Sequence, residues 1–205
     1  MMTPRHALIS LALAAAACAA HADTVATLKA FVAEVKTGQA SFNQTVTAPD
    51  GVKKKTSRGT FEFSRPNRFR FNYTQPFEQQ IVSDGQKVWI FDADLNQASV
   101  RPFSQAMGAT PAALLAGGSL TPEFELSNLP ARDGLEWAQA LPRNKEGGFQ
   151  SLKIGFKGKD LAAVEILDAF GQRSLLQFSQ LVANGLVPDA NFRFVLPKGA
   201  DLITQ

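Results

Sequence analysis

Between residues 59 and 97 apolar and polar side chains alternate with a period of two. Phe61, Phe63 and Arg65 fall on one parity, and Thr60, Glu62 and Ser64 on the other. Phe69, Phe71 and Tyr73 then alternate with Arg70 and Asn72. Successive side chains of a strand point to opposite faces, so this spacing predicts a sheet with one dry and one wet face. Arg65-Pro66-Asn67 reads as a tight connection, with proline presetting the turn. A third strand is predicted over 79–83, a hairpin turn at Asp84-Gly85, and a fourth strand over 87–92. Val88, Trp89, Ile90 and Phe91 make that last strand apolar on both faces, so it is either covered twice or lines something beyond its own core. Arg65 is the odd member. It stands in line with two phenylalanines, where a guanidinium is expensive to bury unless something accepts its hydrogen bonds.

The rest of the chain supplies context. Leu28, Phe31, Val32 and Val35 recur at helical spacing and predict an amphipathic helix over 23–36 that packs on the sheet and stops at Thr37-Gly38. A strand follows over 39–47. Residues 48–58 read as a loop, with an Asp50-Gly51 turn and three lysines, Lys53 to Lys55. Such a basic tip is either simply solvated or meets an acidic surface or anionic headgroups. After a strand over 96–101 the period-two pattern stops. The alanine-rich stretch 102–118 reads as one or two short helices, broken near Gly108, restarted by Thr110 as N-cap with Pro111 in the first turn, and closed by Gly117-Gly118. Pattern alone leaves two readings of this insert, a plug over an open barrel end or a movable lid. Strands resume over 123–128, 134–141, 149–156, 161–167, 173–182 and 192–196. The total is about eleven short strands with little helix and no internal repeat or linker. That predicts a single mainly β domain, an antiparallel sandwich or barrel.

The first 22 residues are read separately. Arg5 and His6 precede an apolar run, Ala7 to Ala17, and Ala20-His21-Ala22 is a small-x-small cleavage site. This is the pattern of a secretory signal peptide, 1–22, ahead of a domain over 23–205. The run is too short to span a bilayer. The rival reading, acylation of Cys18, lacks the large aliphatic residue that usually precedes such a cysteine: Ala15-Ala16-Ala17 stands there. Cleavage removes the only cysteine and both histidines, His6 and His21. A Ser-His-Asp triad, a cysteine nucleophile and zinc sites built on Cys or His are thereby excluded from the mature chain. No nucleophile elbow, phosphate-cradling loop or metal-ligand spacing is present, so neither an enzyme nor a cofactor is expected, although carboxylate-only chemistry remains open. Asp84, Asp92 and Asp94 are the densest acidic group, and the loop lacks further oxygen ligands for calcium. Losing Arg5 takes the net charge from +3 to +2, too balanced to suggest nucleic acid. Sixteen phenylalanines against the single tyrosine, Tyr73, point instead to a large dry interior without polar tips. A dry cavity of that kind suits an acyl chain, which gains about 0.8 kcal/mol per buried methylene. If Arg65 bonds carbonyls of the insert, it closes that cavity when empty.

These residues resemble the LolA family of periplasmic outer-membrane lipoprotein carriers over essentially the whole mature chain. The likeness is carried by Phe42-x-Gln44, then Gly59-x-Phe61-x-Phe63-x-Arg65-Pro66-x-x-Phe69-Arg70-Phe71-x-Tyr73-x-x-Pro76, Ile81-Val82-Ser83-Asp84-Gly85, Trp89 and Asp94-Leu95-x-Gln97. Thr110-Pro111-Ala112, Asp168-x-x-Gly171-Gln172 and Phe192-x-Phe194-x-x-Pro197-x-Gly199-x-Asp201 complete it. The resemblance implies an incomplete, curved antiparallel β-barrel with a helical lid over an apolar cavity, working as a monomer in the periplasm. It implies acylated lipoproteins as cargo, an ATP-driven inner-membrane complex that releases them, and an outer-membrane receptor that takes them. Arg65 matches the family's lid-bonding arginine, and Phe69 an aromatic position tied to cargo handling. Pro111, Ala112, Leu114 and Leu115 fall in the lid. Phe61, Phe63, Phe69, Phe71, Tyr73, Ile81, Trp89 and Phe91 are the expected acyl-chain wall. Arg68 and Arg70 make the second strand more basic than in some members, which bears on the partner-facing surface. A carrier of another lipid or glycolipid on the same half-barrel is the alternative.

Overall fold

The computed structural model describes residues 23–106, 116–117, 123–144 and 148–204. The predicted leader, residues 1–22, and the predicted lid residues Pro111, Ala112, Leu114 and Leu115 lie outside them. The chain opens with α1 (Thr24–Glu34), followed by β1 (Thr37–Thr47), β2 (Lys54–Ser64), β3 (Arg68–Gln75), β4 (Gln79–Asp84), β5 (Lys87–Asp92) and β6 (Gln97–Pro102). A one-turn helix, α2 (Phe103–Ala106), starts the insert. Beyond it come β7 (Phe124–Arg132), β8 (Leu135–Pro142), β9 (Phe149–Lys157), β10 (Asp160–Asp168) and β11 (Arg173–Ala183), a 3-10 turn (Asp189–Phe192) and β12 (Asp201–Thr204).

All twelve strands join one open sheet in the order β12-β6-β5-β4-β3-β2-β1-β11-β10-β9-β8-β7. Sequence neighbours pair antiparallel within β1–β6 and within β7–β11, β1 joins the two runs by pairing antiparallel with β11, and β12 runs parallel beside β6. The sheet is curved and not closed, so the expected incomplete barrel is what forms. The alternation read from the sequence sets the register of its centre: Phe61 stands opposite Phe71 and Phe63 opposite Phe69. The Phe61 and Phe71 rings stack, with 4.3 Å between their centroids. Helix α1 lies against β7 and β8 and puts Leu28, Phe31 and Val32 into the same core. Its start is fixed by Asp23, whose Oδ1 accepts the Ala26 N–H at 3.0 Å.

Three departures from the sequence reading are physical. Residues 54–58, read as loop, extend β2, because β1 offers a continuous ladder from Thr37 opposite Ser64 to Thr47 opposite Lys54. The lysines there stay exposed, and backbone pairing carries the strand, helped by the Ser57 hydroxyl, which donates to Gln44 Oε1 at 3.3 Å. Residues 192–196, read as a strand, do not join the sheet: they follow the 3-10 turn across its outer face. The twelfth strand, β12, was not read at all. Its four residues are all exposed and its ladder is parallel to a strand a hundred residues earlier, which no local pattern announces.

Candidate functional site, the phenylalanine wall and its arginine

The inner face of the sheet is built from rows of cross-strand neighbours. Ala40, Phe61, Phe71, Ile81 and Ile90 make one row, and Phe63, Phe69, Ser83 and Val88 the next. Gly59 lies between Phe42 and Tyr73 in a third row, and its missing side chain lets those rings meet edge-on at 5.1 Å. Phe61, Phe63, Phe69 and Phe71 are all buried, at no more than 4 % exposure, while Tyr73 and Ile81 pack at the border of the same cluster. Six of the eight expected wall residues therefore stand together. Phe31, Phe42 and Phe178 join them: Phe31 lies 6.4 Å from Phe63, and Phe178 lies 5.7 Å from Phe61. Phe31 was legible as part of a helical stripe, and its meeting with Phe63 was not.

Trp89 and Phe91 point the other way. Trp89 is opposite Val82, and Phe91 opposite Ala98, on the outer face. Phe194 covers both, with ring centroids 6.1 Å from each. Strand β5 is thus apolar on both faces because it is covered twice. The cover is held by the two arginines that make β3 basic. Arg68 pairs with Asp189 at 2.7 Å and sits over the Phe192 ring, and Arg70 donates to the Asn191 carbonyl at 3.2 Å. Asn191 in turn donates to Glu62 at 3.1 and 3.2 Å. Arg68 and Arg70 are used within the chain, to fix the C-terminal segment.

Arg65 follows β2 directly, at a cis Arg65-Pro66 peptide. Its Nε donates at 2.9 Å to the carbonyl of Val35, the extended residue that caps α1, and its Nη1 donates to the Gly117 carbonyl. The cation therefore ties the exit of α1 to the far end of the insert. The neighbouring Asn67 N–H donates to the Ala116 carbonyl at 2.9 Å, a second tie to the same segment. Asn67 itself has φ of 68°, and its carbonyl accepts from the fully buried Ser83 hydroxyl at 2.8 Å. The guanidinium lies 5.1 Å from the Phe63 ring centroid and 5.7 Å from that of Phe31. Burial brings the Arg65 pKa down to about 10, so the group stays charged at neutral pH. Its Nη2 is buried and has no hydrogen-bond partner among the described residues.

At the other end of the wall, burial pushes the Tyr73 hydroxyl up to about 12. Tyr73 borders a groove of about 630 Å³ that Gln44, Lys55, Phe77, Gln79 and Asp92 also line. Among the described residues no group of three or more Cys, Asp, Glu or His side chains is placed to hold a metal ion.

Comparison with known proteins follows the same lines. The family model of the outer membrane lipoprotein carrier protein LolA matches residues 33–195. An outer-membrane lipoprotein carrier protein of Methylibium petroleiphilum is 69 % identical over 194 residues, 95 % of this chain and 96 % of that one. Its counterpart in Leptothrix cholodnii is 62 % identical over 187 residues, covering 91 % and 88 %. Among solved structures, an uncharacterised conserved protein of Thermus thermophilus shares the fold with a TM-score of 0.54 at 14 % identity, covering 89 % of this chain and 99 % of its own. A LolA superfamily protein of Nitrosomonas europaea does so at 0.51 and 14 %, covering 83 % and 97 %. With the open curved sheet, its phenylalanine wall and Arg65 in place, the chain belongs to the LolA family of outer membrane lipoprotein carrier proteins.

Proposed function

We propose that the protein is exported, loses residues 1–22, and works in the periplasm as a non-catalytic, monomeric carrier of lipoprotein acyl chains. It accepts acylated lipoproteins from an ATP-driven releasing complex of the inner membrane and passes them to an outer-membrane receptor. The observation that carries this reading is the Arg65 bridge from α1 to Gly117 over a wall of buried phenylalanines. With that bridge made, Phe61, Phe63, Phe69 and Phe71 are packed on one another and on α1, and an acyl chain reaches them only when the contacts part. Each buried methylene then returns about 0.8 kcal/mol against the packing and hydrogen bonds given up. Loading is consequently near balance, as a carrier that must also release requires. Tyr73 and Ile81 complete the acyl wall, the segment of Pro111, Ala112, Leu114 and Leu115 is its lid, and Trp89 and Phe91 serve the outer face instead.

The test is release of newly made lipoproteins from spheroplasts by the purified mature protein. Lipoproteins in a soluble complex with it support the reading. If the soluble fraction contains none, a carrier of another lipid takes its place. Mass spectrometry of the exported N-terminus separates carrier from anchored receptor: a chain that starts at Asp23 is a free carrier, and an acylated Cys18 overturns it.

A further inference from the structure

The hairpin turns at the two ends of the sheet are unlike, although Leu186, 91 % exposed, lies beside Gln39 at the Arg65 end. Four neighbouring hairpins, β5–β6, β3–β4, β1–β2 and β10–β11, turn at the end away from Arg65. Each presents one large apolar side chain to solvent: Leu95 at 69 % exposure, Phe77 at 67 %, Val52 at 80 % and Phe170 at 87 %. The turns β2–β3, β4–β5, β7–β8 and β9–β10, at the other end, carry Pro66, Asn67, Gly85, Gln86, Asp133, Gly134, Gly158 and Lys159, with no large exposed apolar side chain among them.

Three of the apolar tips are built by one device. The Oδ1 of Asp50 accepts the Val52 and Lys53 N–H groups, that of Asp168 accepts the Phe170 and Gln172 N–H groups, and that of Asp92 accepts the Leu95 N–H. These carboxylates are engaged by their own backbone, while the apolar residue two or three places on projects outward. Gly171 packs beside Pro49, so the Val52 and Phe170 turns are in contact. Lys53, Lys54 and Lys55 flank that pair, and Arg173 lies opposite Thr47 at its base. Glu78, Asp92 and Asp94 make the Phe77 and Leu95 side acidic, while Lys53, Lys54, Lys55 and Arg173 outnumber Asp50 and Asp168 on the Val52–Phe170 half, so the positive charge belongs there. Lys55 and Phe77 also line the groove at Tyr73, at the edge of the interior.

We propose that this end of the molecule rests on an anionic bilayer surface, with Val52, Phe77, Leu95 and Phe170 in the interface and Lys53 to Lys55 on the headgroups. A folded partner is met by a contiguous patch with a packed centre. Single apolar residues on separate tips, two of them aromatic and beside a lysine run, suit a fluid interface that fills the spaces between them. The inference goes beyond the carrier reading and does not depend on which cargo the interior takes.

The test is co-sedimentation of the protein, purified from the periplasm, with vesicles of phosphatidylglycerol and phosphatidylethanolamine, and with vesicles of phosphatidylcholine alone. Binding to the anionic vesicles is expected, and it weakens with salt. Replacing Lys53, Lys54 and Lys55 by Gln reduces it by about fivefold per lysine. Val52→Ser with Phe170→Ser weakens binding to both kinds of vesicle. All these side chains are exposed, so the thermal midpoint stays at the parent value. No binding to anionic vesicles, or equal binding by parent and variants, overturns the proposal. So does binding that appears only when membrane protein is present in the vesicles, or self-association of the parent that the variants lose, since the surface would then serve a protein partner or a second copy. A protein that binds vesicles and releases no lipoprotein keeps this surface and loses the carrier reading, and the opposite result does the reverse.

Discussion

At the scale of single residues the molecule turns on one cation and two small side chains. Arg65 holds Val35 and Gly117 with two of its nitrogens, and the third is buried with no partner among the described residues. Arg65→Leu removes the tie to Gly117 and keeps the apolar wall. The variant is expected to bind acyl cargo and to hand it on poorly, because the closed empty state loses its advantage. Transfer from the loaded variant to outer-membrane receptor, followed against the parent, measures this, and transfer at the parent rate removes Arg65 from the mechanism. Gly38 is the first of the small residues. It stands opposite Phe63, and a Cβ there would lie 2.4 Å from that ring. Gly38→Ala therefore displaces Phe63 and costs about 1–3 kcal/mol, read as a lower urea midpoint. Gly59 is tighter still, with the Asn72 carbonyl oxygen 2.0 Å from the added carbon.

At the scale of elements, the segment after β11 does more than its sequence advertises. Phe192 is 1 % exposed and sits under the Arg68 guanidinium. Phe192→Ala should cost about 3–5 kcal/mol and bare the Trp89 side of the sheet, seen in thermal unfolding together with increased binding of a hydrophobic dye. The wall strands β2 and β3 were legible because half-burial writes itself as alternation. The faces of Trp89 and Phe91 were not, since both parities of β5 are apolar and the cover arrives from Phe194, a hundred residues on. The same segment looked like a strand because Phe192, Phe194 and Leu196 alternate, yet tertiary contacts with Arg68 and Arg70 decide its path. Arg65 was legible as an anomaly, and its bond to Gly117 required the fold. Helix α1 adds a pH dependence. The hydrogen bond from the Ala26 N–H, then that from Asn128, hold the Asp23 carboxyl below its usual 3.8. A depressed carboxylate contributes stability that is present above its unfolded value and lost as pH falls through the folded one. Thermal midpoints measured down through pH 4 should therefore fall more steeply for the parent than for Asp23→Ala, which starts lower and lacks this titration.

For the whole molecule, the open sheet has two unlike edges and a protected middle. Strands β1 and β2 pair along eleven residues each and carry Phe42, Phe61 and Phe63, whereas β12 has four exposed residues and one neighbour. Hydrogen exchange should consequently be slowest in β1 and β2 and fastest, among strands, in β12. Uniform protection across the sheet would contradict that ordering. A graded sheet suits a carrier, because its edges can yield while the centre keeps the fold.

The two tryptophans share one side. Trp89 stacks on Phe194, and Trp137 lies across Gly155 beneath the Arg132 guanidinium at 4.7 Å, both on the outside of the curve. Tyr73, at the border of the interior cluster, is the chain's single phenol. The molecule is thus optically divided: its indole emission describes the outer coat, and what fills the interior is dark to it, visible only through one weak tyrosine or a dye carried in with the cargo.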